Sequence, residues 1–277
     1  MTTPDAQPPA PFALEPILKE KVWGGRRLAH MGKALPEALD IGESWELADL
    51  AHTSASGGGG DAARSVIATG PLAGSTIHDA LERWGPDLLG KAAPTPSGGF
   101  PILVKYLDAR EHLSVQVHPS PDYAAAHPDA HLKTESWVVL DAEEGAVIYK
   151  GLTPGASGAD LRDAIERGTV PDLLVAEPAR VGDCHTLPSG TVHALGAGVL
   201  VAEIQTPSDT TFRVYDWAAE YGRAGRELHT DAAIECADLA PAPAPVPGPD
   251  APGGPHGAAP RARAAETDYY TIETVRA

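Results

Sequence analysis

Cysteine is nearly missing from this chain: Cys184 and Cys236 are the two thiols in 277 residues. Two such residues at unrelated positions build no disulfide framework, so a reducing cytosol is the expected setting, and neither is read as catalytic. Long apolar runs are missing too. The opening "MTTPDAQPPAPF" has no apolar stretch of the kind a signal peptide needs, and no later run is long enough to span a bilayer. Positive charge is scarce, with 21 Lys and Arg against 38 Asp and Glu and a formal net charge of -17. Such a field attracts neither nucleic acid nor an anionic membrane. An anionic small molecule would have to meet a local cluster of cations. No internal repeat and no Gly-rich phosphate loop is present either.

What the chain does have is a succession of short strand patterns punctuated by Gly and Pro. Residues 1–11 are polar and Pro-rich and read as a disordered leader. "FALEPILKEKVWGG" reads as an extended segment ending in a turn, and "IGESWELAD" as a strand. "HTSASGGGGDAARS" reads as a flexible loop. "STIHDALERWGPDLLG" has Ile77, Leu81 and Trp84 at helical spacing, Ser75 as the candidate N-cap and Gly85-Pro86 as the stop. From Phe100 onward "FPILVKYLDA", "LSVQVHP", "ESWVVLDA", "GAVIYKGL", "GDCHTLPSGTVHALGAGVLVAEIQ" and "TTFRVYDW" read as strands. "SPDYAAAHPDA" reads as a turn or short helix, and helical spacing returns over 157–174 and in "TDAAIECAD". Many short strands with such turns point to a sandwich or jelly-roll barrel. The expected organisation is a domain over 12–238 with helical insertions and a Pro/Ala/Gly linker over 239–265. A final strand over 266–277 is expected to pair with an edge of the β domain.

One constellation carries chemistry. Gln116 and His118 stand two apart in "LSVQVHP", which on a strand places both side chains on one face. Glu135 in "KTESW" opens the next strand, where a carboxylate beside a tryptophan-led apolar run is costly to bury unless paired or bound to metal. His193 in "LPSGTVHALG" adds a second imidazole. Two imidazoles, a carboxylate and an amide oxygen on a β scaffold can hold one divalent ion and leave room for a substrate oxygen. Taken singly, each has an ordinary reading: His118 as a turn histidine before Pro119, Glu135 as a solvated charge, His193 as a loop histidine. Together they outweigh it. His112, His127, His131 and His185 lack such company and read as structural.

These motifs, with "KVWGG", "GESWELAD", "FPILVKYLDA" and "EIQTPSDTTFRVYDW" in the same order, resemble the type I phosphomannose isomerases, zinc-dependent mannose-6-phosphate isomerases of the cupin superfamily, in their short bacterial form. The resemblance runs over residues 14–228. It implies a mainly β, cupin-type jelly roll (double-stranded β-helix) with a few helices inserted. It also implies one Zn²⁺ per chain held by Gln116, His118, Glu135 and His193. Ser114 and Lys133 match positions lining a sugar-phosphate pocket, Arg213 an active-site arginine and Glu203 a pocket carboxylate. The implied reaction is mannose 6-phosphate to fructose 6-phosphate through a cis-enediol in the cytoplasm, with Glu203 or Lys133 as base and Arg213 steadying the enediolate or the phosphate. Outside the resemblance, Arg213 reads as a strand-surface ion pair and Lys105 as a solvated lysine.

The chain departs from the family in two places. "YDWAAEYGR" lacks the basic residue relatives carry there, so a pocket cation is missing or replaced by Arg223. The carboxy-terminal strand reads as the remnant of a second, truncated β lobe. Two other readings stand beside the isomerase: a cupin Fe(II) oxygenase using His118, Glu135 and His193, and a non-catalytic sugar-phosphate-binding cupin. Oligomeric state is left open. The ligand set makes a direct prediction: His118→Ala and His193→Ala each abolish tight metal binding in a chelator-competition titration, whereas His185→Ala does not. Equal losses in all three would mean the ligands are misassigned.

Overall fold

Period-two alternation puts one set of side chains inside and the other outside, and this chain uses it to close two sheets on each other. The computed structural model describes residues 9–54, 60–249 and 261–275. Most of the expected leader, residues 55–59 of the expected flexible loop, residues 250–260 of the expected linker and residues 276–277 of the expected last strand lie outside them. In chain order the strands are β1 (Ile17–Gly25), β2 (Ile41–Leu47), β3 (Asp49–Leu50), β4 (Ala63–Arg64), β5 (Leu103–Ala109), β6 (Val115–Val117), β7 (Glu135–Ala142) and β8 (Val147–Leu152). They continue as β9 (Leu174–Pro178), β10 (Cys184–Leu187), β11 (His193–Leu195), β12 (Val199–Gln205), β13 (Phe212–Tyr215), β14 (Arg261–Glu266) and β15 (Thr271–Val275). One antiparallel sheet has the order β1-β2-β5-β12-β7-β10, the other β13-β6-β11-β8-β9. The result is the expected mainly β jelly roll.

The sheets meet through Leu107, Trp137, Val139 and Val201 of the first and Ile148 and Leu195 of the second. Fully burying each such side chain contributes roughly 1.5–3 kcal/mol. The helices are α1 (Ile77–Trp84), α2 (Pro86–Leu89), α3 (Pro121–Ala126), α4 (Gly158–Arg167) and α5 (Thr230–Cys236). In α4, Ser157 and Asp160 form a reciprocal capping box, and Leu161, Ala164 and Ile165 form the buried stripe. That stripe and Ala233 of α5 pack on the outward side chains Val115, Val117, Ala194 and Val214 of the second sheet. Its inward side chains are thereby committed to the barrel interior.

Two local expectations are corrected and a third is extended. The cap of α1 is Thr76, not Ser75, because Thr76 accepts from the Asp79 amide while the Asp79 carboxylate takes the Thr76 amide. Gly85-Pro86 does stop α1 at Trp84 as expected, and Pro86 then opens α2, since its missing N–H costs nothing in a first turn. The carboxy-terminal strand β15 pairs with β14 as a separate two-stranded sheet and not with an edge of the β domain. That hairpin packs against the barrel through Ala264, Ala265 and Ile272 on Cys184 and Val138, and Tyr270 Oη lies 3.2 Å from Ser136 Oγ. Within the Pro/Ala/Gly tract, Val246 makes a reciprocal pair of backbone hydrogen bonds with Cys184, each 2.9 Å.

Gly196, just after β11, lets the chain pass β8 at close range: a Cβ there would sit 2.0 Å from the Val147 carbonyl oxygen. Gly196→Ala is therefore expected to cost about 2 kcal/mol or more, measured as a lower denaturation midpoint with the β signal retained.

Candidate active site

Three strand ends deliver the central group. His118 follows β6, Glu135 opens β7 and His193 opens β11, and their relative exposures are 1%, 0% and 1%. Each has a ligating atom within 4.8 Å of the others'. His118 Nδ1 lies 2.9 Å from the Thr210 carbonyl oxygen and His193 Nδ1 2.8 Å from that of Thr191. A carbonyl only accepts, so both Nδ1 atoms donate and both Nε2 atoms present lone pairs. Those nitrogens face Glu135 Oε1 at 3.5 and 2.9 Å. Burial, together with Lys133, pushes the His118 imidazole down to about 3, so it is neutral at physiological pH.

Two lone pairs and a carboxylate oxygen directed at one another repel unless a cation stands among them, and Lys133 Nζ, 3.0 Å from His118 Nε2, meets one of the three. Neither Glu135 oxygen finds a hydrogen bond of good geometry, although Lys133 Nζ approaches Oε2 to 2.6 Å. Burial alone would raise the Glu135 carboxyl; the Lys133 ammonium outweighs it and holds it well below the usual carboxylate range. The donor set therefore fits a divalent metal ion. Gln116 is adjacent, with Nε2 3.3 Å from His193 Nε2 and its backbone in register with both His193 and Arg213.

Gln116 and Lys133, which touch the group, also line a cavity of about 320 Å³. Among its walls are Ser114, Gln116, Lys133, Glu203 and Arg213, five of the residues expected from the sequence. It also holds Lys19, Lys21, Lys105 and Arg226, so cations outnumber the carboxylates Glu20, Glu43, Glu203 and Asp209. A chain of net charge -17 has gathered local positive charge here, as an anionic ligand requires. Burial, helped by Glu135, raises the Glu203 carboxyl against the opposing pull of Lys105. Trp137 Nε1 donates to its Oε2 at 2.8 Å. Burial beside Arg226 lowers the Arg213 guanidinium to about 10, which leaves it charged.

Lys105 is not a solvated lysine: it is buried, 3.2 Å from Glu203 and 3.8 Å from Glu43. The strand-surface reading of Arg213 fails as well, since its Nη1 donates to the Glu227 carbonyl oxygen at 2.8 Å inside the cavity wall. The cation that reaches the cavity after "YDW" is Arg226, not Arg223. Asp216 binds both, and Arg223 turns instead toward Glu111 at 3.7 Å. Trp217 makes that return possible, with φ 52, indole Nε1 on the Leu113 carbonyl oxygen at 2.8 Å and a stack on His112. His185 is fully buried, outside the His118–Glu135–His193 group. The cysteines are free and buried, and burial raises their thiols to about 12 and about 11.

Glu43 and Trp45 escaped the reading by residue type. A signal was available: Glu-Ser-Trp occurs twice, at 43–45 and 135–137, and alternation puts each Glu and Trp on one face.

A buried His/Glu/His group beside a cation-rich cavity in a jelly roll defines a metal-binding cupin. Residues 12–146 match the model of the phosphomannose isomerase type I catalytic domain. The chain is 40% identical over 230 residues, 81% of its length, to the probable mannose-6-phosphate isomerase GmuF of Bacillus subtilis, covering 67% of that protein. The crystal structure of the Bacillus subtilis mannose 6-phosphate isomerase is similar with a TM-score of 0.72 and 33% identity, over 96% of this chain and 76% of that one. A mannose 6-phosphate isomerase structure bound with zinc and yttrium shares the fold at a TM-score of 0.62 and 16% identity, over 95% and 82% of the two chains. The chain belongs to the type I phosphomannose isomerase family.

Because the converging acceptors need a cation, adding a divalent transition metal to chelator-stripped protein is expected to raise the melting temperature. At a hundredfold excess over the dissociation constant the gain is about 2.7 kcal/mol. Glu135→Gln should lose that response.

Proposed function

We propose that the protein interconverts mannose 6-phosphate and fructose 6-phosphate, with one zinc ion held by His118, Glu135, His193 and Gln116. The observation that carries this reading is the buried His/Glu/His group standing beside a cavity that Gln116 and Lys133 line together with a buried carboxyl of raised proton affinity and surplus cations. Bound zinc would act as a Lewis acid, polarising the sugar carbonyl. Glu203 takes the proton from C2 through Oε1, since Oε2 already accepts from Trp137, and returns it to C1. The cis-enediol between these steps passes its remaining hydroxyl proton from O2 to O1.

Lys133 is better suited to positioning than to proton abstraction, because its ammonium is engaged by Glu135 at 2.6 Å. Arg213 and Arg226 offer planar donor forks to the phosphate, and Asp216 fixes Arg226 for that task. Ser114, two residues before Gln116 and buried at the cavity wall, offers a hydroxyl to the sugar. All these residues fall within 12–238, which we read as the catalytic unit. Buried free thiols, and the lack among the described residues of any helix long and apolar enough to cross a membrane, fit a cytoplasmic enzyme.

The deciding measurement is a coupled assay for fructose 6-phosphate formed from mannose 6-phosphate. Activity is expected with zinc, lost with chelator and recovered on zinc return. Folded, zinc-loaded protein without turnover would sink the proposal. Glu203→Gln should lower kcat by about 10²–10⁴-fold with KM little changed.

A further inference from the structure

Charge alternates along the cavity wall on the inner face of the first sheet. Backbone register sets Trp45 beside Lys105, Lys105 beside Glu203 and Glu203 beside Trp137, across β2, β5, β12 and β7. Glu43 shares the face of Trp45, two residues away. Lys105 Nζ lies 3.2 Å from Glu203 Oε1 and 3.8 Å from Glu43 Oε2, over the Trp45 ring at 4.7 Å. The two carboxylates are held alike at their outer ends. Trp45 Nε1 donates to Glu43 Oε2 at 2.6 Å, and Trp137 Nε1 donates to Glu203 Oε2 at 2.8 Å. Lys21 takes the other Glu43 oxygen at 3.1 Å.

One ammonium is thus divided between two carboxylates. We propose that Glu43 and Lys105 are positioning residues that leave the sugar untouched and hold Glu203 Oε1 toward C1 and C2. The proposal rests on Glu203 as the proton carrier. Lys105 steers Glu203, and Glu43 keeps Lys105 from closing fully onto it. Without Glu43 the ammonium belongs to Glu203 alone, and the oxygen needed for proton transfer is covered. Without Lys105, two buried carboxylates face each other with no cation between them, and Glu203 loses its guide.

The test is a double-mutant cycle. Glu43→Gln and Lys105→Met are each expected to lower kcat about 10- to 100-fold, the scale of a misplaced reacting group. KM should stay within threefold, bound metal should be unchanged, and the isotope effect on kcat with substrate deuterated at C2 should grow. Lys105→Arg, which keeps the bridge, should recover most of the rate. The double variant should lose no more than the worse single one, because the harm in Glu43→Gln acts through Lys105. Additive losses, or a raised KM with unchanged kcat, would overturn the proposal. If a single variant does not fold because it leaves a buried charge unpaired, the double variant decides alone: loss confined to kcat supports the proposal, and wild-type kcat overturns it. A fully active Glu203→Gln would instead remove the proton-carrier reading on which the proposal stands.

Discussion

Two imidazole lone pairs and a carboxylate oxygen meet inside the barrel, and much else follows from keeping them there. Each histidine is held from behind by a backbone carbonyl, and each carbonyl belongs to a segment next to a strand of the second sheet. The outer face of that sheet is closed by α4 and α5, which leaves its strands no freedom to turn their inner side chains outward. Helices that contribute nothing to the cavity wall therefore help hold the sheet beside which the two imidazoles are fixed. The acidic surface and the basic cavity belong to the same scheme, since charge of one sign is spread thinly outside and the other sign is concentrated where side chains are partly desolvated.

How much of this could be read in advance depended on whether local pattern or distant pairing decides. His118, Glu135 and His193 were legible because few residue types ligate metal, strand alternation puts Gln116 and His118 on one face, and a buried carboxylate beside an apolar strand calls for a partner. Lys105 was not, because whether a lysine after an apolar run is solvated or buried depends on what stands beside it. Its neighbours Trp45 and Glu203 come from β2 and β12, far away along the chain. Arg226 was missed in favour of Arg223 because Trp217 adopts a left-handed conformation that its residue type disfavours. That reversal brings Arg226, rather than the nearer arginine, back to the cavity. Thr76 displaced Ser75 by one residue for a plainer reason: only from Thr76 does the spacing to Asp79 allow both capping bonds. The last strand found its partner in the polar-looking Arg261–Glu266, whose Ala264 and Ala265 supply apolar contact that composition hides.

The repeated Glu-Ser-Trp shows how one local pattern serves two purposes. In the first copy the indole holds its own glutamate; in the second it reaches across to Glu203 and leaves Glu135 to the imidazoles. The tripeptide is the same, and the difference lies in which strand stands beside it.

The cavity wall begins at Lys19 on β1 and is completed by Arg226 beyond β13. Nearly the whole catalytic unit must be threaded before these two residues can face each other. Loop-closure entropy makes such distant meetings slow, so the pocket is among the last features to appear as the chain folds. During synthesis the partly made protein carries its histidines and Glu135 without an enclosed place to use them. The full set of cavity cations is in place only once the segment carrying Arg226 has docked.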